Sequence, residues 1–316
     1  MLRYFAKRFF YSFIVLSLVT IIVFVMVRLI PGPIGSVMAE NVDLTNQSME
    51  EKVEVTPRLD EPLPFQVFQW MCNLIKGDWG NSLQTGESVN RMFWYRLPVT
   101  AELFIGATFW SWIIGFPLGV IGALKRNSIF DFSFTSLGIL GVSIPPFWEG
   151  IVFIYLFAVL LNILPPSGYV PFFEDPWLNI KSIFMPTLVM GTHSAGLLAR
   201  YVRSSFLEVL PQDYIRTARA KGLSERLVIQ RHLAKPAMIP VVTVIGLVWG
   251  HFAAGSFLVE YIFAIPGLGR MGVDAIFARD FPVIQVVLMV VAVNVFVGNL
   301  MADILYGFVD PRVRLY

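Results

Sequence analysis

Few groups in this 316-residue chain are equipped for acid–base, nucleophilic or metal chemistry, and they are widely spaced. The three histidines, His193, His232 and His251, fall in separate stretches. None forms the His-Glu-x-x-His pair that places two zinc ligands on one helix face. Ser194 follows His193, so composition leaves a serine–histidine pair of an intramembrane protease open, but no Gly-x-Ser-x-Gly nucleophile setting accompanies it. The lone Cys72 excludes an intrachain disulfide and a multi-cysteine metal site, and no metal site is expected. No Gly-x4-Gly-Lys-[Ser/Thr] loop is present, so the chain does not cradle nucleotide phosphates in that way. The conspicuous ionisable group within apolar sequence is Glu149, in Pro145-Pro146-Phe147-Trp148-Glu149. A carboxylate at membrane depth is costly and faces either a watery interior or a basic partner.

The elements that must position these groups are membrane helices. The chain is 56% hydrophobic and 15% charged, with a mean hydropathy of +0.68, against about 25% charged residues in soluble domains. Crossing a hydrocarbon core of about 30 Å takes roughly 18 or more apolar residues as a helix. Six stretches meet that length, at about 9–30, 99–124, 133–164, 183–207, 237–262 and 283–309. The first is read as an uncleaved span, because Arg28-Leu-Ile-Pro31-Gly32 is no small-residue cleavage site. Basic residues mark one side of the membrane: Arg3, Lys7 and Arg8, then Lys125 and Arg126, then eight Arg or Lys between Arg200 and Lys235, then Arg312 and Arg314. The segment 31–97, with nine acidic and five basic residues, falls on the other side. These clusters predict an all-α membrane protein of six transmembrane helices with both termini cytoplasmic. It divides into an N-terminal span (1–30), an extracytoplasmic segment (31–97) and a five-helix core (98–316). Pro145 and Pro146 are expected to kink the third span beside Glu149. His193 and His251 are weaker candidates for a membrane pathway, since a lone membrane histidine more often hydrogen-bonds a neighbouring helix, and Asp303 reads as a structural partner. An amphipathic helix is expected after Pro62, and an amphipathic lip after Pro266-Gly-Leu-Gly-Arg270.

The cytoplasmic segment 208–240 is the most informative. Pro211-Gln212-Asp213 starts a helix with an acidic group at its positive end, and Gly222 stops it. Ser224 caps a second short helix, Glu225 to Lys235, which Pro236 is expected to end. Ala218 and Gly222 lie four apart, so their small side chains are expected to let another protein approach the backbone, with Arg216, Arg219 and Lys221 around them. A basic loop lying on anionic lipid is the alternative.

Here the residues carry a likeness. Ala218-Arg-Ala-Lys-Gly222, followed by Lys235-Pro-Ala-Met-Ile-Pro240, resembles the EAA loop of ABC-importer permeases, with Thr217 in place of the usual glutamate and Arg219 at the second alanine. Arg96-Leu-Pro-Val-Thr100-Ala-Glu-Leu103, Gly141-Val-Ser-Ile-Pro145, Glu260-Tyr-Ile-Phe-Ala-Ile-Pro266-Gly-Leu-Gly269 and Asp310-Pro311-Arg312-Val-Arg314 extend the resemblance to the B-type permease of dipeptide, oligopeptide, glutathione or nickel importers. The likeness implies a type I importer fold in a bacterial inner membrane. It also implies a non-catalytic subunit working with a second permease, two ATPase subunits that hold ATP and Mg, and an extracytoplasmic binding protein. No cofactor is held in this chain and no nucleic acid is bound. Tyr214, Arg216, Ala218, Arg219, Ala220, Gly222, Leu223 and Ser224 are the implied ATPase contacts, while Glu149, His193 and His251 are pathway candidates. Peptides lead as cargo, with a nickel chelate, glutathione or an oligosaccharide as alternatives. The competing reading is a secondary carrier, which usually has more spans and an internal repeat; none is found.

Overall fold

Apolar runs with few polar interruptions become helices wherever the backbone must satisfy its own hydrogen bonds, and that rule accounts for nearly every element. The computed structural model describes residues 2–29 and 62–309, and among these the only strand-like pairing is a single bridge, Asn81 to Ser88. The helices are α1 (Leu2–Leu29), α2 (Leu63–Lys76), α3 (Val89–Leu124), α4 (Ile129–Ser143), α5 (Pro146–Phe153, continued by a π-turn segment, Ile154–Leu160), α6 (Pro176–Val209), α7 (Asp213–Ala220), α8 (Ala234–Ile262), α9 (Leu268–Ala278) and α10 (Phe281–Val309).

Four of these, α1, α3, α6 and α10, are long and apolar enough to cross a membrane by the stretches described. At 29 residues, or about 43 Å at 1.5 Å per residue, α8 also has the length. α1 leaves Phe10, Val15, Leu18, Ile22 and Met26 exposed, as a lipid-facing helix does, and packs Phe9 on Phe296 of α10 and Phe24 on Trp70 of α2. The expected helix after Pro62 is α2, stopped by Gly77 at φ 82. Residues 30–61 and 310–316 lie outside the described residues, as do the side chains of His251 and Asp303.

The third span differs from expectation. In place of one kinked helix from 133 to 164, α4 and α5 meet at a bend of 100° and are half-length pieces. Each proline pushes the residue before it out of the helical region. Pro145 acts on Ile144 (ψ 122) and Pro146 acts on Pro145 (ψ 131), so two consecutive residues are extended and the helix breaks instead of kinking.

α3 and α6 share the most extensive contact, and small residues explain it. A Cβ on Gly115 would lie 2.6 Å from the Ala195 carbonyl oxygen, and one on Gly119 would lie 2.6 Å from that of Ala199. On α6, a Cβ on Gly191 would meet Trp110, and one on Gly196 would collide with the Gly138 carbonyl of α4. Such backbone-to-backbone approach is how membrane helices pack without a hydrophobic driving force. It makes α3, α4 and α6 one block. α8 is tied to α10 by Trp249, whose Nε1 donates to Asn294 Oδ1 at 2.5 Å.

Candidate functional site

α7 occupies one end of the bundle, where the chain turns between α6 and α8. Gln212 is its N-cap, Asp213 opens it, and Gly222 at φ 77 stops it. The Leu223 N–H reaches back to the Ala218 carbonyl and the Gly222 N–H to that of Arg219, the paired bonds of a left-handed glycine stop.

α7 has two faces. Ile215 and Ala218 are buried in a cluster with Ala123 of α3, Leu198, Val202 and Phe206 of α6, and Val228, Leu233, Ala237 and Val241. Leu223 is half-buried on the same cluster, while Tyr214, Arg216, Arg219, Ala220, Lys221, Gly222 and Ser224 are exposed. The expected pairing of Ala218 with Gly222 on one outward face is therefore corrected. Ala218 lies three residues after Ile215 and shares its inward stripe, so it roots α7 in the chain's own core. Gly222 stands in open space, with nothing within 4 Å of where a Cβ would be.

The expected second helix also differs. Glu225–Leu227 forms one turn, a π segment covers Val228–Leu233, and the chain continues directly into α8. Ser224 occupies the cap position without a side-chain bond. Pro236 does not end the helix. It lacks the N–H for an ordinary i−4 bond, and its ring crowds the i−4 carbonyl. The wider π turn just before it absorbs both problems. Beyond the turn at 221–224, helical backbone runs unbroken from Glu225 into α8. Arg219 clamps the junction, donating Nε (3.1 Å) and Nη2 (2.6 Å) to Glu225. That guanidinium holds the Glu225 carboxyl below its ordinary value. Nearby, Arg203 of α6 makes a two-pronged pair with Asp131 of α4 at 2.6 and 2.9 Å.

The pathway candidates are dispersed. Glu149 is buried beside the α4–α5 break, and its Oε1 accepts from Thr192 Oγ1 of α6 at 2.7 Å while Oε2 has no partner. It faces the packed interior of its own chain. His193, next to Thr192, is half-buried on α6. Three polar anchors at the end opposite α7 were missed by sequence reasoning. Glu260 of α8 is fully buried; Oε1 accepts from Thr100 Oγ1 (2.9 Å) and Oε2 from the Arg270 N–H (3.0 Å), at the start of α9. Asp280, just before α10, accepts from Ser82 Oγ (2.5 Å) and the Leu83 N–H (3.1 Å). Tyr169 donates its hydroxyl to Glu102 of α3 (2.7 Å), and burial together with that carboxylate pushes the phenol above its ordinary value. The available signal was the isolated carboxylates Glu102 and Glu260 inside apolar runs. No cluster of three or more His, Cys, Asp or Glu suited to a metal ion occurs among the described residues.

Comparison with known proteins places this arrangement. Residues 115–315 match the family described as "Binding-protein-dependent transport system inner membrane component". The di/tripeptide transport system permease protein DppB of Pseudomonas aeruginosa is 38% identical over 317 residues, covering 94% of each chain. The oligopeptide transport system permease protein AppB of Bacillus subtilis is 37% identical over 318 residues, covering 99% of this chain and 100% of its own. An inward-facing structure of the MetNI methionine ABC transporter shares the fold, with a TM-score of 0.56 at 18% identity over 77% of this chain and 98% of that one. With the family's match running from Gly115, in the last third of α3, to residue 315 and these relatives aligned along nearly the whole length, the chain belongs to the ABC-importer permease family of binding-protein-dependent inner-membrane components.

Proposed function

We propose that this chain is one permease subunit of an ATP-driven, binding-protein-dependent importer of peptides or related small solutes in a bacterial inner membrane. In this reading it has six spans and both termini in the cytoplasm, with α4 and α5 together as a broken third span. It is itself non-catalytic and holds no cofactor. A second permease completes the path, two ATPase subunits hold ATP and Mg, and a binding protein delivers cargo from outside. The end of the bundle carrying α7 is then cytoplasmic, and α2 and α9 are extracytoplasmic.

The observation that carries the reading is the two-faced α7. Its inner face, Ile215 and Ala218, is buried in a core continuous with α3, α6 and α8. Its outer face offers Tyr214, Arg216, Arg219 and Lys221 around the open space over Gly222. A partner pressing there moves helices and not a slack loop, because helical backbone runs from the Glu225 turn into α8. A lipid-bound basic loop has no need of that rooted inner face. On the pathway, Glu149 and His193 are the candidates whose side chains are described, and His251 is a third by position on α8. Glu149→Gln removes the charge but keeps an oxygen for Thr192. Altered transport at unchanged thermal stability would put that charge on the path, and unchanged kinetics would remove it.

The test is purification from native membranes in mild detergent, followed by ATP hydrolysis measured with candidate cargoes. Recovery of a second permease and ATPase subunits with peptide-stimulated hydrolysis is expected. Stimulation by a nickel chelate, glutathione or an oligosaccharide instead would rename the cargo. A chain that transports or cleaves a substrate on its own would overturn the proposal.

A further inference from the structure

The turn between α3 and α4 holds two cations that no acid answers. Lys125 is the C-cap of α3, Arg126 follows it, and Ser128 is the N-cap of α4. The one carboxylate of the turn, Asp131, is fully engaged. Its two oxygens accept from Arg203 of α6, and one of them also takes the Asn127 N–H at 3.0 Å. Arg203 lies against Gly122, where a Cβ would come within 3.4 Å of its Cδ, so this pair closes the inner side of the turn. Lys125 and Arg126 remain on the outer side. Both are exposed, and neither forms an ion pair among the described residues.

Apolar side chains surround the two cations. Leu124, Ile129, Phe130 and Phe132 are exposed, Ile129 by 74% and Phe132 by 73%. Ile129 and Phe132 stand three apart and share a helix face. The exposed side of α4 continues through Leu137, Ile139 and Leu140. In half of a broken membrane span, such a side meets acyl chains. The Lys125 ammonium sits 4.1 Å from the centre of the Phe130 ring, which holds the charge at the border of that apolar surface.

The start of α6 provides the contrast. Lys181 lies over Trp177 at 5.3 Å, the same pairing of ammonium and ring. There, however, Glu174 and Asp175 precede it, and the chain from Phe172 to Ser182 carries two acids and one base. Only the α3–α4 turn combines unanswered positive charge with an acyl-facing surface. An anionic phospholipid complements both parts. Its phosphate takes charge-assisted hydrogen bonds from the ammonium and guanidinium, and its chains lie on the apolar side. A zwitterionic headgroup brings a cation of its own toward Lys125 and Arg126, and a free phosphate ion gains nothing from Ile129 or Phe132.

We propose that the α3–α4 turn is a binding site for an anionic phospholipid, whose phosphate is held by Lys125 and Arg126 and whose acyl chains lie along Ile129 and Phe132. The site itself needs only that α4 lie in a bilayer. That the lipid belongs to the cytoplasmic leaflet rests on the orientation in the permease reading above.

The test uses the assembled complex in nanodiscs of phosphatidylcholine and phosphatidylglycerol in equal parts. A fluorescent amino acid placed at Ile129 is quenched on contact by brominated acyl chains, and the bromines are carried by one lipid at a time. The association constant at this position is expected to be at least about fivefold higher for phosphatidylglycerol, the preference one basic residue confers near an anionic lipid. Lys125→Gln combined with Arg126→Gln should bring the two lipids to parity. The summed quenching should be preserved, which shows that position 129 still faces acyl chains. Lys181→Gln should leave the preference unchanged. Parity in the parent, or a preference that survives the double variant, would overturn the site. So would absence of quenching by either lipid in the parent, since protein would then cover position 129. The leaflet is read separately. Arg126→Cys, with Cys72→Ser removing the sole native cysteine, should react with a membrane-impermeant maleimide in spheroplasts only after permeabilisation. Reaction in intact spheroplasts would overturn the orientation, and the permease reading with it, while leaving the lipid site standing.

Discussion

Gly222 separates the contribution of backbone shape from that of open space, and its substitution series is the sharpest probe of α7. Its φ of 77 lies in the left-handed region, so any ordinary L-residue is strained there by about 1–2 kcal/mol. No atom lies within 4 Å of a Cβ built at this position, so side-chain size adds no clash with the chain itself. Gly222→Ala and Gly222→Trp therefore carry the same backbone cost, and the isolated permease should melt at nearly the same temperature in both. Gly222→Asn, which tolerates the left-handed region, should lie closer to the parent. In proteoliposomes with the ATPase subunits, the three should diverge by size. The alanine variant should retain most transport. The tryptophan variant should lose at least about tenfold in ATPase affinity, equivalent to about 1.4 kcal/mol, and transport should fall with it. Equal transport by the alanine and tryptophan variants would refute the reasoning, because it would show that no partner surface occupies the space over Gly222.

Other expectations follow from the same geometry. Gly196→Ala should destabilise by about 1–3 kcal/mol, as overpacking does, because its Cβ meets the Gly138 backbone. Gly138→Ala, with its nearest contact at 3.6 Å, should be close to neutral in the same thermal melts. Asp131→Asn should cost about 1–3 kcal/mol, between a surface pair and a fully buried one, since the Asp131 side chain is 8% exposed and Arg203 is 31% exposed. The Arg219–Glu225 clamp is exposed on both sides, so Glu225→Gln should cost at most about 1 kcal/mol at neutral pH. Its pH dependence has a fixed sign. The carboxyl is held below its ordinary value of 4.5, so its contribution is present above that pH and lost as pH falls through the lowered value. Wild type and Glu225→Gln should then melt alike in strong acid.

What the sequence disclosed and what it concealed divide along the range of the interactions. α1, α3, α6 and α10 follow from long, predominantly apolar runs, and the stop of α7 follows from a glycine at a left-handed position. Local rules failed where two effects met. Two adjacent prolines break the third span because each excludes its predecessor from the helix. Pro236 fails to end the helix begun at Glu225 because the π segment before it makes room. The orientation of Ala218 depended on which side of α7 found a core, and Ile215 decides that only once α3, α6 and α8 are assembled around it. The attachment of α9 was out of reach in principle. Thr100 and Glu260 are 160 positions apart and Ser82 and Asp280 are 198 apart, and nothing in their spacing announces a contact.

The most direct test of the central claim is site-specific photocross-linking in intact membranes. A benzophenone side chain placed at Lys221, on the exposed end of α7, should capture an ATPase subunit, and the same group at Gln69 on α2 should not. Capture of the ATPase at position 69, or of lipid alone at position 221 in actively transporting cells, would contradict both the orientation and the driving role assigned to α7.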